Sequence, residues 1–206
     1  FGFSPNTGLP RIPRKQIRGG NTRFEYLDEK DSQMKWNNFF SQYHEVLVKI
    51  AHDNPSWQVH LKLKARFRDA EPAIKFVNSL NPPDNFKIFM DSDSFERVVN
   101  ADVICGFNTT GVLEGLAAGL PVVTPEFSEV NEKLMRDFAV NFDGATQIPN
   151  DPLSMYQLLC ELMKKPKNIQ KNLSNAEEEI LEKWVGNPDG MASSRVINLL
   201  KEEVEL

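Results

Sequence analysis

Residues 101–124, ADVICGFNTTGVLEGLAAGLPVVT, constrain the fold of this chain more than any other stretch. Residues 102–105 read as a short apolar strand, 106–110 as a turn and 111–118 as a helix. Gly119 and Leu120 close that helix, and residues 121–124 form the next strand. Short apolar strands alternating with short helices are the pattern of βαβ units, and so of a parallel sheet. Pro121 suits the first position of a strand. The expected fold class is α/β, a three-layer Rossmann-like domain with a mostly parallel sheet.

The rest of the chain extends the same alternation. Residues 22–27 form a candidate strand. Asp31 and Ser32 are plausible caps for a helix over 33–53, where Trp36, Phe39, Phe40, Tyr43, Val46, Leu47 and Ile50 recur at three- and four-residue spacing. That face is expected to pack on the sheet, with exposed aromatic surface as the rival reading. Residues 57–64, WQVHLKLK, alternate as a strand with Val59, Leu61 and Leu63 on one side and His60, Lys62 and Lys64 on the other. A helix over 70–80, a strand over 86–90, a polar turn over 91–94 and a helix over 95–100 follow. After residue 124 the expectations are a helix over 127–138, a last short strand over 139–142, and helices over 151–164, 169–184 and 192–205. This helical last third would pack against the sheet or reach toward a partner domain.

Residues 1–21, rich in Pro, Gly and basic side chains, read as an irregular arm. The expected division is therefore that arm and one domain over 22–206 with a helical C-terminal extension. The chain starts at Phe1 without a methionine, and so reads as a fragment.

Composition excludes several classes. Apolar residues make up 40% of the 206, enough for a core, and charged residues 26%. A net charge of -5 argues against bulk nucleic-acid binding, so no nucleic-acid partner is expected. Cys105 and Cys160 sit singly in apolar runs and read as buried free thiols in a reducing compartment. His44, His52 and His60 lack metal-ligand spacing, and no metal site is expected. No run reaches the ~18 apolar residues of a membrane span. The sequons at Asn108 and Asn172 read as coincidence in a cytosolic protein.

The chemistry concentrates at strand ends. The turn 106–111 joins a parallel strand to a helix, at the sheet edge where ligands bind. A helix start leaves backbone N–H groups unpaired and favours negative charge. The Thr109 and Thr110 hydroxyls could cap the helix or donate to a phosphate, and Gly111 permits close approach. A capped helix needs no ligand, so both readings stand. Glu114 either approximates a capping box or accepts hydrogen bonds from a vicinal diol such as ribose. Lys62 and Lys64 offer compact positive charge near a strand end, continued by Arg66 and Arg68. Ser92, Asp93 and Glu126 occupy analogous strand ends. Asn187, Asp189 and Arg195 read by default as a surface turn. No nucleophilic triad can be assembled, and the catalytic residue stays unknown.

Residues 101–127, ADVICGFNTTGVLEGLAAGLPVVTPEF, resemble the C-terminal nucleotide-sugar-binding domain of two-domain glycosyltransferases of the GT-B fold. The likeness is to bacterial surface and capsular polysaccharide transferases and to sugar-nucleotide 2-epimerases. Carried over, it implies that Thr109, Thr110 and the turn backbone hold the donor diphosphate and that Glu114 holds the ribose, with Lys62, Asn108, Gly111 and Glu126 as further substrate-binding residues. Lys64 would match a lysine of a KxHP-like position, although Lys64-Ala65-Arg66 lacks the His-Pro. Residues 186–200 look like the DG-x-[AS]-x-R ending of some capsule transferases.

The implied substrate is a nucleoside diphosphate sugar with no further cofactor. The implied partner is a glycan acceptor held by a separate N-terminal domain. The implied setting is cytoplasmic, with peripheral membrane association left open. Such a half would bind a nucleotide sugar and not transfer it alone. A sugar-nucleotide 2-epimerase and a non-catalytic α/β partner-binding domain are the alternatives.

Overall fold

The computed structural model describes residues 1–9, 11–15, 22–26, 35–64, 67–90, 94–142, 144–165, 172–187 and 189–204, with 11–15, 22–26, 67–69 and 202–204 described by backbone alone. An antiparallel pair, β1 (Arg11–Lys15) and β2 (Thr22–Tyr26), precedes helix α1 (Asn37–Asp53). Then come β3 (Val59–Lys62), α2 (Phe67–Ser79), β4 (Phe86–Phe89), α3 (Phe95–Asn100), β5 (Ile104–Cys105), α4 (Gly111–Ala117) and β6 (Val122–Val123). A 3-10 turn (Ser128–Asn131) and α5 (Lys133–Arg136) lead to the helices α6 (Pro152–Lys164), α7 (Asn175–Val185) and α8 (Ala192–Val204). The result is a mixed α/β fold with short parallel sheets.

β3 pairs in parallel with β4, and β5 with β6. Residues 1–3 lie between the two pairs: Gly2 N donates to Lys62 O (2.9 Å) and Phe1 N to Cys105 O (2.6 Å). On the far side of β6, Gln147 forms a parallel bridge with Val123. The order is thus β4, β3, residues 1–3, β5, β6 and Gln147. That is the 3-2-1-4-5-6 order of a doubly wound sheet, with residues 1–3 at its centre.

Successive side chains of a strand face opposite ways, and here they feed two separate cores. Cys105 and Val123 join a large cluster containing residues of α1, α2 and α6. Ile104 and Val122 join a smaller one with residues of α3, α4 and α7. Helices therefore cover both faces of the sheet.

The whole expected stripe is buried, from Trp36 at the N-cap of α1 to Ile50, and His44, Val48 and Ala51 besides. Its aromatic side chains build the core and do not form an exposed surface. Phe3 stacks on Phe39 (5.3 Å between centroids), while Phe107 meets Trp36 and Phe39 edge-on at 5.1 and 4.7 Å. Asp31 and Ser32, its expected caps, lie outside the described residues. The carboxylate of Glu129 does the capping instead, accepting from Asn38 N and Phe39 N at 2.8 Å each.

Three expectations differ from the structure. Residues 127–138 form two short turns and not one helix, because Ser128 takes a positive φ of 52° and Glu132 is extended. Residues 139–142 do not supply the last strand. Thr124 N donates to Gln147 O (3.0 Å) and Gln147 N to Val122 O (2.9 Å), so Gln147 takes that edge while Phe142 turns into the smaller core. Residues 1–9, expected to be part of an irregular arm, form no helix or strand, yet Phe3 and Leu9 are buried in the large core. In the last third, α7 packs on α4 through Ile180 and Leu181, whereas Val196, Ile197, Leu199 and Leu200 of α8 are exposed.

Candidate functional site

In a doubly wound sheet the crevice opens where the strand order reverses, between the central strand and its neighbour in the other half. Here that place lies between residues 1–3 and β5. A cleft of about 290 Å³ occupies it, walled by the loops that follow each segment, 4–9 and 107–111. Lys62 and Lys64, at the end of β3, line it as well, with Ser94 and Glu114.

Loop 4–9 is a polar turn tied to α1. Thr7 N donates to Ser4 O and Ser4 N to Thr7 Oγ1, both at 3.0 Å. Trp36 holds the turn from below, its Nε1 donating to Thr7 O (2.7 Å) and its backbone N to Pro5 O (2.8 Å). Gly8 sits at φ +76°, and a Cβ there would lie 2.5 Å from Asn108 Nδ2. Two walls of the cleft meet at that contact, and it requires glycine.

Loop 107–110 is anchored by buried Phe107. Asn108, at φ 46°, donates from Nδ2 to Phe138 O (2.7 Å) and accepts at Oδ1 from Val140 N (2.8 Å). Its amide therefore holds the 138–140 backbone, a role the sequence did not suggest. Thr109 Oγ1 accepts from Gly111 N at 3.3 Å. Thr110 is exposed and makes no side-chain capping bond.

The start of α4 is less open than the sequence implied. Gly111 N and Val112 N find acceptors on Thr109, and the Phe1 ring lies where a Gly111 Cβ would be. The close approach that Gly111 permits is that of Phe1.

Glu114 stands at the rim, its Oε2 accepting from Ser94 Oγ at 2.6 Å. Lys62 Nζ donates to Leu63 O (2.9 Å), and Lys64 is exposed. Glu126 does not line the cleft: it faces Arg136 at 3.4 Å, and its backbone N donates to Pro149 O. Arg195 closes the turn before α8, bonding both oxygens of Asp189 at 2.9 Å. Arg66, Ser92 and Asp93 lie outside the described residues, as does the side chain of Arg68.

Below the cleft, Tyr43 donates to Phe1 O (2.9 Å) and Cys105 O (3.2 Å), and burial holds its phenol well above its ordinary pKa. Burial also pushes the Cys105 thiol up to about 11. Both stay protonated at neutral pH, so neither supplies a nucleophile there. Among the described residues no group of three or more His, Cys, Asp or Glu could hold a metal, and no helix is long and apolar enough to cross a membrane.

No family model matches the chain, and no curated protein does. Among solved structures, the "Crystal structure of GtfA/B complex" is similar, with a TM-score of 0.47 and 12% identity. The match covers 98% of this chain and spans 39% of that one.

The cleft thus gathers Lys62, Lys64, Asn108, Thr109, Thr110, Gly111 and Glu114, and leaves out Glu126. Sequence reasoning missed Ser94 and the whole of loop 4–9. A signal existed: Phe1-Gly2-Phe3 followed by Ser4-Pro5-Asn6-Thr7-Gly8 repeats, in shorter form, the strand-then-polar-turn grammar of residues 102–111.

Proposed function

We infer that this chain binds the nucleoside diphosphate sugar donor of a glycosyltransferase and forms the donor half of that enzyme. One observation carries the reading. Side chains proposed from the sequence for a diphosphate and for a ribose meet in one cleft, at the switch point of the sheet. The Lys64 ammonium is exposed toward solvent at one wall, a compact charge suited to a diphosphate. Thr109 and Thr110 add hydroxyl donors, and Glu114 accepts from the ribose diol. At about 290 Å³ the cleft is near the lower end of ligand pockets. It suits the diphosphate and ribose, with base and sugar extending outward.

In transfer, the bond from the anomeric carbon to the diphosphate oxygen breaks and an acceptor hydroxyl oxygen takes its place, losing its proton. The contribution of this chain is to the leaving group. Positive charge fixed beside the diphosphate stabilises the negative charge that develops as that bond breaks. The acceptor, a surface polysaccharide or related glycan, would be held by another domain at the cytoplasmic side of a membrane.

Calorimetric titration with UDP, GDP, CDP, ADP and CMP tests the reading. Binding of at least one nucleoside diphosphate is expected, weakened about tenfold by Lys64→Ala, or about 1.4 kcal/mol. Absence of binding by all of them at millimolar concentration would overturn it.

A further inference from the structure

We propose that Ser94 is a positioning residue for the Glu114 carboxylate, and that the pair selects ligands carrying a vicinal diol. The proposal rests on the reading of Glu114 as a diol acceptor given above.

Ser94 occupies the N-cap position of α3, where a serine ordinarily accepts from an amide of its own helix. No such capping bond forms, and its backbone is helical (φ -98°, ψ -16°) where caps are usually extended. The hydroxyl turns instead to another helix and donates to Glu114 Oε2 at 2.6 Å. Both residues line the cleft. A cap has been given up, and what replaces it is an oriented carboxylate at the rim.

The geometry has a chemical consequence. A carboxylate has two oxygens and about four acceptor sites. Ser94 occupies one site on Oε2 and leaves Oε1 for other donors. A vicinal diol presents two hydroxyl donors side by side, which one fixed carboxylate can accept together. An untethered glutamate on a short helix would have to be ordered by the ligand, at the ligand's expense in affinity. The Ser94 bond orders it beforehand.

The test compares ribonucleoside diphosphates (UDP, GDP, CDP, ADP) with their 2′,3′-dideoxy counterparts by calorimetry on the full chain. The parent should bind the ribo form about tenfold more tightly. Ser94→Ala should reduce that preference to about twofold while leaving the dideoxy affinity unchanged. Ser94→Thr, which keeps the hydroxyl, should restore it. A purely structural link between α3 and α4 would weaken both ligands alike, and that result would overturn the proposal, as would an unaltered preference in Ser94→Ala. A parent that binds nucleotides without preferring ribose removes both the diol role of Glu114 and that of Ser94, and leaves diphosphate binding standing. A parent that binds none removes the whole reading of the cleft.

Discussion

His44 is wholly buried among the rings of Phe3, Phe40, Tyr43 and Phe76. Its Nδ1 lies 2.7 Å from Phe40 O and must donate, while Nε2 is buried without a partner. Burial lowers its pKa from 6.5 to about 4. The unfolded chain therefore takes up a proton that the folded one refuses, and stability falls as pH drops through that interval. It is complete above about pH 6.5 and loses roughly 3 kcal/mol by about pH 4. Urea unfolding across this range should show the loss in the parent and a flatter profile in His44→Leu; parallel profiles would contradict the assignment. Asn108 offers a second residue-scale test. Asn108→Ala removes two hydrogen bonds and places alanine at a positive φ, so it should destabilise the fold by about 2–3 kcal/mol in denaturant unfolding.

Between elements, the Glu129 carboxylate ties its turn to the amides of Asn38 and Phe39 in the first turn of α1, buried and accepting twice. Glu129→Gln keeps the shape but turns an NH2 group toward a backbone N–H. It should cost about 1–3 kcal/mol, read by chemical denaturation. Helix α6 carries its own cap, Asp151 with Ser154 in a capping box and Pro152 at its start. Asp151→Ala should cost about 1 kcal/mol, a smaller loss in the same measurement. These two caps also mark what the sequence reveals. The start of α6 is legible because Asp151, Pro152 and Ser154 are adjacent in the chain. The cap on α1 is not, because its carboxylate comes from residue 129. The long stripe of α1 and the alternation of β3 are read correctly because their periods reflect one dominant buried face. Residues 139–142 look like a strand by the same apolar content. The edge went to Gln147 because Asn108 engages Phe138 and Val140, a long-range tie that local pattern does not encode.

Across the molecule, residues 1–3 fix the place of the cleft, which they line. They fill the centre of a 3-2-1-4-5-6 sheet, and the loop after them faces the loop after β5. Lys62, Lys64, Asn108, Thr109, Thr110, Gly111 and Glu114 all border that cleft, at one edge of the sheet. The start of α4 contributes less than its sequence suggested, since Thr109 and the Phe1 ring occupy it. Lysine and hydroxyl side chains at the crevice are thus what the proposed binding rests on. Backbone amide NMR of the full chain, titrated with the nucleoside diphosphates, examines that claim directly. The account predicts saturable shifts concentrated in residues 4–9, 62–64 and 107–114. Saturable shifts that leave those three segments unmoved, or none at millimolar ligand, would contradict it.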